Sequence, residues 1–167
     1  MRAPPIRILG IDPGLRHCGW GVIEADGSRL SFVACGAIHS NAKLDLGRRL
    51  RQLHDGLAGV IGAHAPDEAA VEETFVNRDP QSALRLGQAR GVAMLAPALA
   101  DIPVAEYAAN VIKKTVVGAG HAQKQQVAMM VQVLLPRAEL TSADAADALA
   151  VALCHAQRRT IRTLRAL

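Results

Sequence analysis

A chain of 167 residues is the size of one ordinary domain, long enough to bury a core without disulfides or a structural metal. Half of it is hydrophobic but only 2% aromatic, the rings being Trp20, Phe32, Phe75 and Tyr107, and Cys18, Cys35 and Cys154 are too scattered for a disulfide framework or a zinc knuckle. The net charge of +4 leans towards an anionic partner, and no run approaches the roughly 18 to 20 apolar residues of a membrane span, so a cytoplasmic protein with no membrane segment is expected.

In chain order, the apolar run Ile6 to Ile11 ends at Asp12-Pro13-Gly14, where proline presets a turn and glycine accepts positive φ, and so reads as a first strand stopping at an acid. Gly19 to Glu24 and Leu30 to His39 read as strands joined through Ala25-Asp26-Gly27-Ser28, with Asp-Gly as the hairpin signal. Leu46, Leu50, Leu53, Leu57 and Val60 recur at helical spacing within Leu44 to Gly62, an amphipathic helix.

Further on, Glu68 to Phe75 suggests a fourth strand, Ser82 to Ala98 a second helix and Ile102 to Tyr107 a fifth strand. Asn110 to Val117 and Gln123 to Leu135 read as two helices split at Gly118-Ala119-Gly120, and a last long helix starts near Ser142. Strands followed by alternating strand and helix predict an α/β fold, a five-stranded mixed sheet with helices on both faces. One domain over residues 1–157 is expected, followed by a basic tail over residues 158–167.

Acids are the informative residues. Asp12 ends the first strand, where open α/β sheets gather ligands, although an Asp before Pro-Gly is also a common turn former. Glu72 and Glu73 interrupt the fourth strand, and alternation sends them to opposite faces; periodicity does not choose between them. Asp144 and Asp147 lie three apart at a helix start among small residues, so they repel one another unless a cation lies between them. Asp144 alone also suits a helix N-terminus. Such a set, with no Cys or His at ligand spacing, is oxygen-only ligation and points to Mg²⁺ or Mn²⁺ and to phosphodiester hydrolysis.

Basic residues are segregated from these acids. No acid falls between Asp79 and Asp101, between Glu106 and Glu139, or after Asp147, whereas Arg85, Arg90, Lys113, Lys114, Lys124 and four tail arginines do. That distribution suits a phosphate backbone, although any single one of these residues reads equally as a solvated helix face.

The motifs Gly10-Ile11-Asp12-Pro13-Gly14, Val71-Glu72-Glu73-Thr74-Phe75, Ser82 to Gly91, Lys114 to Gly118 and Ala143 to Ala150 resemble, in order and spacing, those of the RuvC family of Holliday junction resolvases, from about residue 6 to residue 157. The resemblance implies a ribonuclease H-like fold, a homodimer, and Mg²⁺-dependent paired nicking of opposed strands at a four-way DNA junction, with two ions per site and Mn²⁺ as a substitute. It maps the family's four acids onto Asp12, Glu72, Asp144 and Asp147, and favours Glu72 over Glu73. Lys113, with Lys114 adjoining it, and Lys124 match family lysines at the DNA; Phe75 matches an aromatic that stacks on a junction base. Arg85 and Arg90 are further candidates for the DNA track. A branch-migration complex of RuvA and RuvB is the partner implied. Trp20 stands where the family often has tyrosine, and little after Gln157 aligns.

Three other readings compete with this one. An actin-like kinase also carries Asp-x-Gly after its first strand, but needs a second phosphate loop that this chain lacks. A non-catalytic DNA-binding module would leave the acids structural, and a related nuclease would act on RNA or hybrids.

Overall fold

The computed structural model describes residues 4–73 and 79–165, with side chains as far as Arg159. Five strands form, β1 (Ile6–Asp12), β2 (His17–Asp26), β3 (Arg29–His39), β4 (Glu68–Glu73) and β5 (Val104–Ala108). Five helices accompany them: α1 (Leu46–His64), α2 (Pro80–Leu99), α3 (Ala109–Val117), α4 (Lys124–Leu134) and α5 (Ala143–Arg165). Strand order is β3-β2-β1-β4-β5, antiparallel among the first three and parallel from β1 through β4 to β5. The expected mixed sheet is therefore present, and its two edge pairings differ in kind because only the first three strands are joined by short turns.

Local chemistry explains where elements start and stop. Asp45 caps α1 by accepting from the Arg48 amide, and Asp79 caps α2 by accepting from the Gln81 and Ser82 amides, with Pro80 in the first turn where its missing N–H costs nothing. Ser142 Oγ accepts from the Ala145 amide at the start of α5. At the other end of α3, Gly118 terminates the helix at φ 90°, a left-handed value.

The β2–β3 hairpin differs from its sequence reading by one position. Asp26 pairs with Arg29, so the two-residue loop is Gly27-Ser28, and only Gly27 has positive φ, at 62°. That is the type II′ pattern with glycine first, rather than an Asp-Gly turn. β2 also begins at His17, two residues earlier than expected, because β3 pairs with it as far as His39.

Strand parity sorts the side chains into two cores. Leu9, Ile11, Cys18, Val22, Ala69 and Val71 pack with Leu53 and Leu57 of α1 and Ala89, Ala93 and Ala96 of α2. On the other face, Ile8, Ile23 and Ala70 pack with Ile112, Val127, Val131 and the buried stretch from Leu149 to Cys154. Asp12 and Glu72, each next in sequence to a residue of the first core, consequently face the second, and Glu73 faces the first.

Helix α5 lies against the sheet at backbone distance. A Cβ on Gly10 would stand 2.1 Å from the Ala148 carbonyl oxygen, and one on Gly19 2.1 Å from that of Asp144. Glycine in the strands and alanine in the helix are thus one device, setting how deeply α5 sits. Farther along, the expected boundary at residue 157 falls within α5, which continues to Arg165.

Candidate active site

Asp12 ends β1, and Glu72 lies near the end of the parallel neighbour β4, whose register sets Ile11 beside Val71. The two carboxyls therefore leave the same edge and the same face. Asp144 and Asp147, one turn apart on α5, descend on them because Gly19, the register partner of Asp12, lets the Asp144 backbone approach. Asp12, Glu72 and Asp147 line a cavity of about 160 Å³ with Lys113 of α3, Lys124 of α4, Ala109, Ile112, Val127 and Ala150.

Electrostatics in this cavity are dominated by crowded negative charge. Burial, then the charges of Glu72, Asp147 and Asp144, push Asp12 from its ordinary 3.8 up to about 8, against a smaller opposing pull from Lys124. Glu72 is raised too, by burial first and Asp147 second, while Lys124, Lys113 and a hydrogen bond with Asp12 oppose the rise. Lys124 Nζ donates to Asp147 Oδ2 over 3.0 Å, and this bond together with the charge of Asp147 lifts the lysine above its usual value.

Burial and crowding thus favour a proton on Asp12, and the Lys124 ammonium on Asp147 offsets part of the remaining negative charge. Among the described residues, no three His, Cys, Asp or Glu side chains are already drawn into one ligand shell. A divalent ion held here would have to displace the proton favoured on Asp12 and the Lys124 contact to Asp147. The donors are all carboxylate oxygens, which fit Mg²⁺ or Mn²⁺ and not a thiolate or imidazole metal.

Other sequence candidates fall in different places. Lys113 is half-buried against the cavity and Lys114 is exposed, which separates two neighbours that the sequence left together. Arg85 and Arg90 are not brought to the carboxylates: both lie on α2, in the layer on the opposite face, with Arg85 exposed and Arg90 ion-paired with Glu106 of β5. Phe75 lies outside the described residues.

One cluster was missed from the sequence. His155, 7% exposed, takes up the Tyr107 hydroxyl at Nδ1 over 2.9 Å and reaches Glu68 Oε2 from Nε2 over 2.7 Å, while Arg159 Nε donates to Glu68 Oε1 over 2.7 Å. Burial works to raise Glu68, but hydrogen bonds from Arg159 and His155 overcome it and hold the carboxyl below its usual value. Since Nε2 donates to a carboxylate, Nδ1 is left to accept from the tyrosine. Glu68 shares a strand face with Glu72, and Tyr107 is the register partner of Glu72, so the network joins the three elements β4, β5 and α5. The strand period from 72 back to 68 was the available signal.

With this geometry in place, comparison with known proteins is decisive. Residues 8–155 match the profile of the family described as "Crossover junction endodeoxyribonuclease RuvC". The chain belongs to the RuvC family. A RuvC relative from Methylocella silvestris is 70% identical over 164 residues, covering 98% of this chain and 93% of the relative, and one from Beijerinckia indica is 67% identical over 159 residues, covering 95% and 91%. Among solved structures, "T. thermophilus RuvC in complex with Holliday junction substrate" superposes with a TM-score of 0.87 at 32% identity, covering 95% of this chain and 97% of that one. RuvC membership makes the chain a nuclease and accounts for the order of its strands. No helix among the described residues is long and apolar enough to cross a membrane.

Proposed function

We propose that this chain resolves four-way DNA junctions, hydrolysing phosphodiesters in two opposed strands with divalent cations held by Asp12, Glu72, Asp144 and Asp147. The observation that carries the reading is the convergence of acids from β1, β4 and α5 on one edge of the sheet, with Lys113 and Lys124 beside them. The RuvC relative bound to a Holliday junction supports the substrate. Two Mg²⁺ per site, replaceable by Mn²⁺, is the complement that four carboxylates suit. Bound there, such ions supply Lewis acidity at the phosphate and lower the pKa of a water.

The chain's own residues then act in sequence. Asp12 gives up the proton that burial and neighbouring charge favour on it, so ion uptake is accompanied by proton release. Asp147 releases Lys124, whose ammonium becomes available to a phosphate oxygen, and Lys113 offers a second positive charge from α3. Phe75 is assigned to stacking on an unpaired base at the crossover, a contact worth roughly 1 to 3 kcal/mol. Exposed Arg85 is available to a DNA arm, whereas Arg90 reaches DNA only by leaving Glu106.

Two cuts on opposed strands need two copies of the site, and a two-fold homodimer supplies them in the symmetry of the substrate. The surface we assign to it is the outer face of α2. Leu84, Leu95 and Leu99 are 66%, 50% and 65% exposed there, and Gly87 and Gly91 have no atom within 4 Å of a Cβ position. The RuvA and RuvB branch-migration complex is the partner proposed, in the cytoplasm.

The test is a labelled synthetic four-way junction, incubated with and without Mg²⁺ beside a linear duplex. Paired nicks in opposed strands of the junction alone, requiring Mg²⁺, are expected. Asp12→Asn, Glu72→Gln, Asp144→Asn and Asp147→Asn should each abolish them while junction binding persists. Wild-type cutting by Glu72→Gln would sink the assignment of that residue, and equal cutting of linear duplex the assignment of substrate.

A further inference from the structure

His17, at the start of β2, and His39, at the end of β3, are register partners on antiparallel strands, and their Nδ1 atoms stand 2.6 Å apart with ring centroids at 4.7 Å and planes at 81°. Both rings thus aim the same nitrogen at one point from a backbone spacing that pairing already fixes. We propose that this pair is a second cation site, a two-histidine chelate for a borderline transition ion such as Zn²⁺, Ni²⁺ or Cu²⁺, chemically distinct from the carboxylate cluster.

Three observations support it. Imidazole nitrogens suit this class of ion, whereas Mg²⁺ takes oxygen ligands, so Mg²⁺ does not enter the histidine pair. Zn–N bonds of 2.0 to 2.1 Å place two nitrogens of a tetrahedral ion roughly 3.3 Å apart, so the rings need to open by only about 0.7 Å. Both residues are exposed at strand ends, where side-chain rotation of that size meets no core. Cys18, adjacent to His17, cannot join: it is buried in the opposite layer and its thiol is pushed up to about 12, mainly by burial.

Among the described residues no third His, Cys, Asp or Glu completes a cluster there. A two-nitrogen chelate leaves the other positions of the ion open to solvent, so the site is of the exchangeable kind. Its location gives it consequence. His17 and Gly19 share the sheet face of Asp12, and the Ser40 amide and hydroxyl hold the Arg16 and Leu15 carbonyls, so an ion across His17 and His39 tightens the loop that follows Asp12.

The probe is Cu²⁺ titrated into the full metal-free chain and followed by electron paramagnetic resonance, where nitrogen ligands give a hyperfine pattern that carboxylates cannot. A Cu²⁺ signal with two coupled nitrogens is expected, together with a rise in melting temperature when Ni²⁺ is added over saturating Mg²⁺. His17→Ala and His39→Ala should each weaken binding at least tenfold and remove the Ni²⁺ rise, leaving Mg²⁺-dependent junction cutting unchanged. Nitrogen coupling that survives in both variants, or none in the wild type, would show that the pair is only hydrogen-bonded. Neither result depends on the nuclease reading.

Discussion

Lys124 Nζ stands 3.0 Å from Asp147 Oδ2, so part of the acidic cluster is already held by a cation of the chain's own. Divalent ions and Lys124 then compete for one carboxylate, while Lys124 and the substrate phosphate attract each other. Lys124→Met should accordingly bind Mn²⁺ more tightly by calorimetry and yet cut the junction at least tenfold more slowly. Each lost phosphate contact should also flatten the slope of log K against log salt by about 0.9 on duplex arms. Unchanged cutting with tighter Mn²⁺ would reduce the lysine to a counter-ion.

Asp12, held near 8 in the fold, titrates near 3.8 when unfolded, so the folded chain binds the extra proton. Its contribution to stability is complete below about pH 4 and is lost as pH rises towards 8. In EDTA the melting temperature should fall over that window, and Asp12→Asn should remove much of the slope. Added Mg²⁺ should replace the proton and restore stability at the alkaline end, with apparent ion affinity rising with pH up to about 8. A flat EDTA profile in the wild type would contradict the raised Asp12 value.

Gly10 and α5 make a sharper test of geometry. A methyl group there would meet the Ala148 oxygen at 2.1 Å and the Ala152 nitrogen at 2.6 Å, both backbone atoms that cannot rotate away. Gly10→Ala should cost about 1 to 3 kcal/mol or more of stability in urea unfolding, as overpacked cores do. It should also lift Asp144 and Asp147 away from Asp12, so that Mg²⁺ half-saturation rises even well below the melting temperature. Gly59→Ala, in open space on α1, is the control and should be neutral or stabilising.

The α2 surface predicts assembly. Leu84→Lys with Leu95→Lys places charge on the exposed apolar face without touching the buried Ala89, Ala93 and Ala96 beneath it. Sedimentation of the wild type should give twice the chain mass, and the double variant should run as a monomer that leaves a cruciform singly nicked. A dimeric double variant would move the interface elsewhere.

Much of this was legible in the residues because strand and helix periods report faces. Asp12 at a strand end and Asp144 with Asp147 on one helical face could be read directly, and the parity that sends Glu72 and Glu73 apart was visible, though not which of them faces Asp12. That needed the parallel register of β1 with β4, a pairing across some sixty positions that no local window contains. The same limit hid the His155 network and the His17–His39 pair, whose members are brought together by strand pairing and helix docking rather than by spacing. Arg90 shows the converse: its place in an acid-free stretch suggested DNA, but Glu106 of β5, the next element in the chain, pairs with it.

Parallel pairing of β1 with β4, and the late docking of α5 over β1 and β2, also fix when the chain becomes chemically competent. During synthesis, Asp12 emerges first and has no partner until β4 has been made, and the second pair of acids follows only with the final helix. A chain that ends before α5 therefore holds only Asp12 and Glu72 of the four acids. Order along the polypeptide thus brings all four acids to one edge of the sheet only when its last helix is in place.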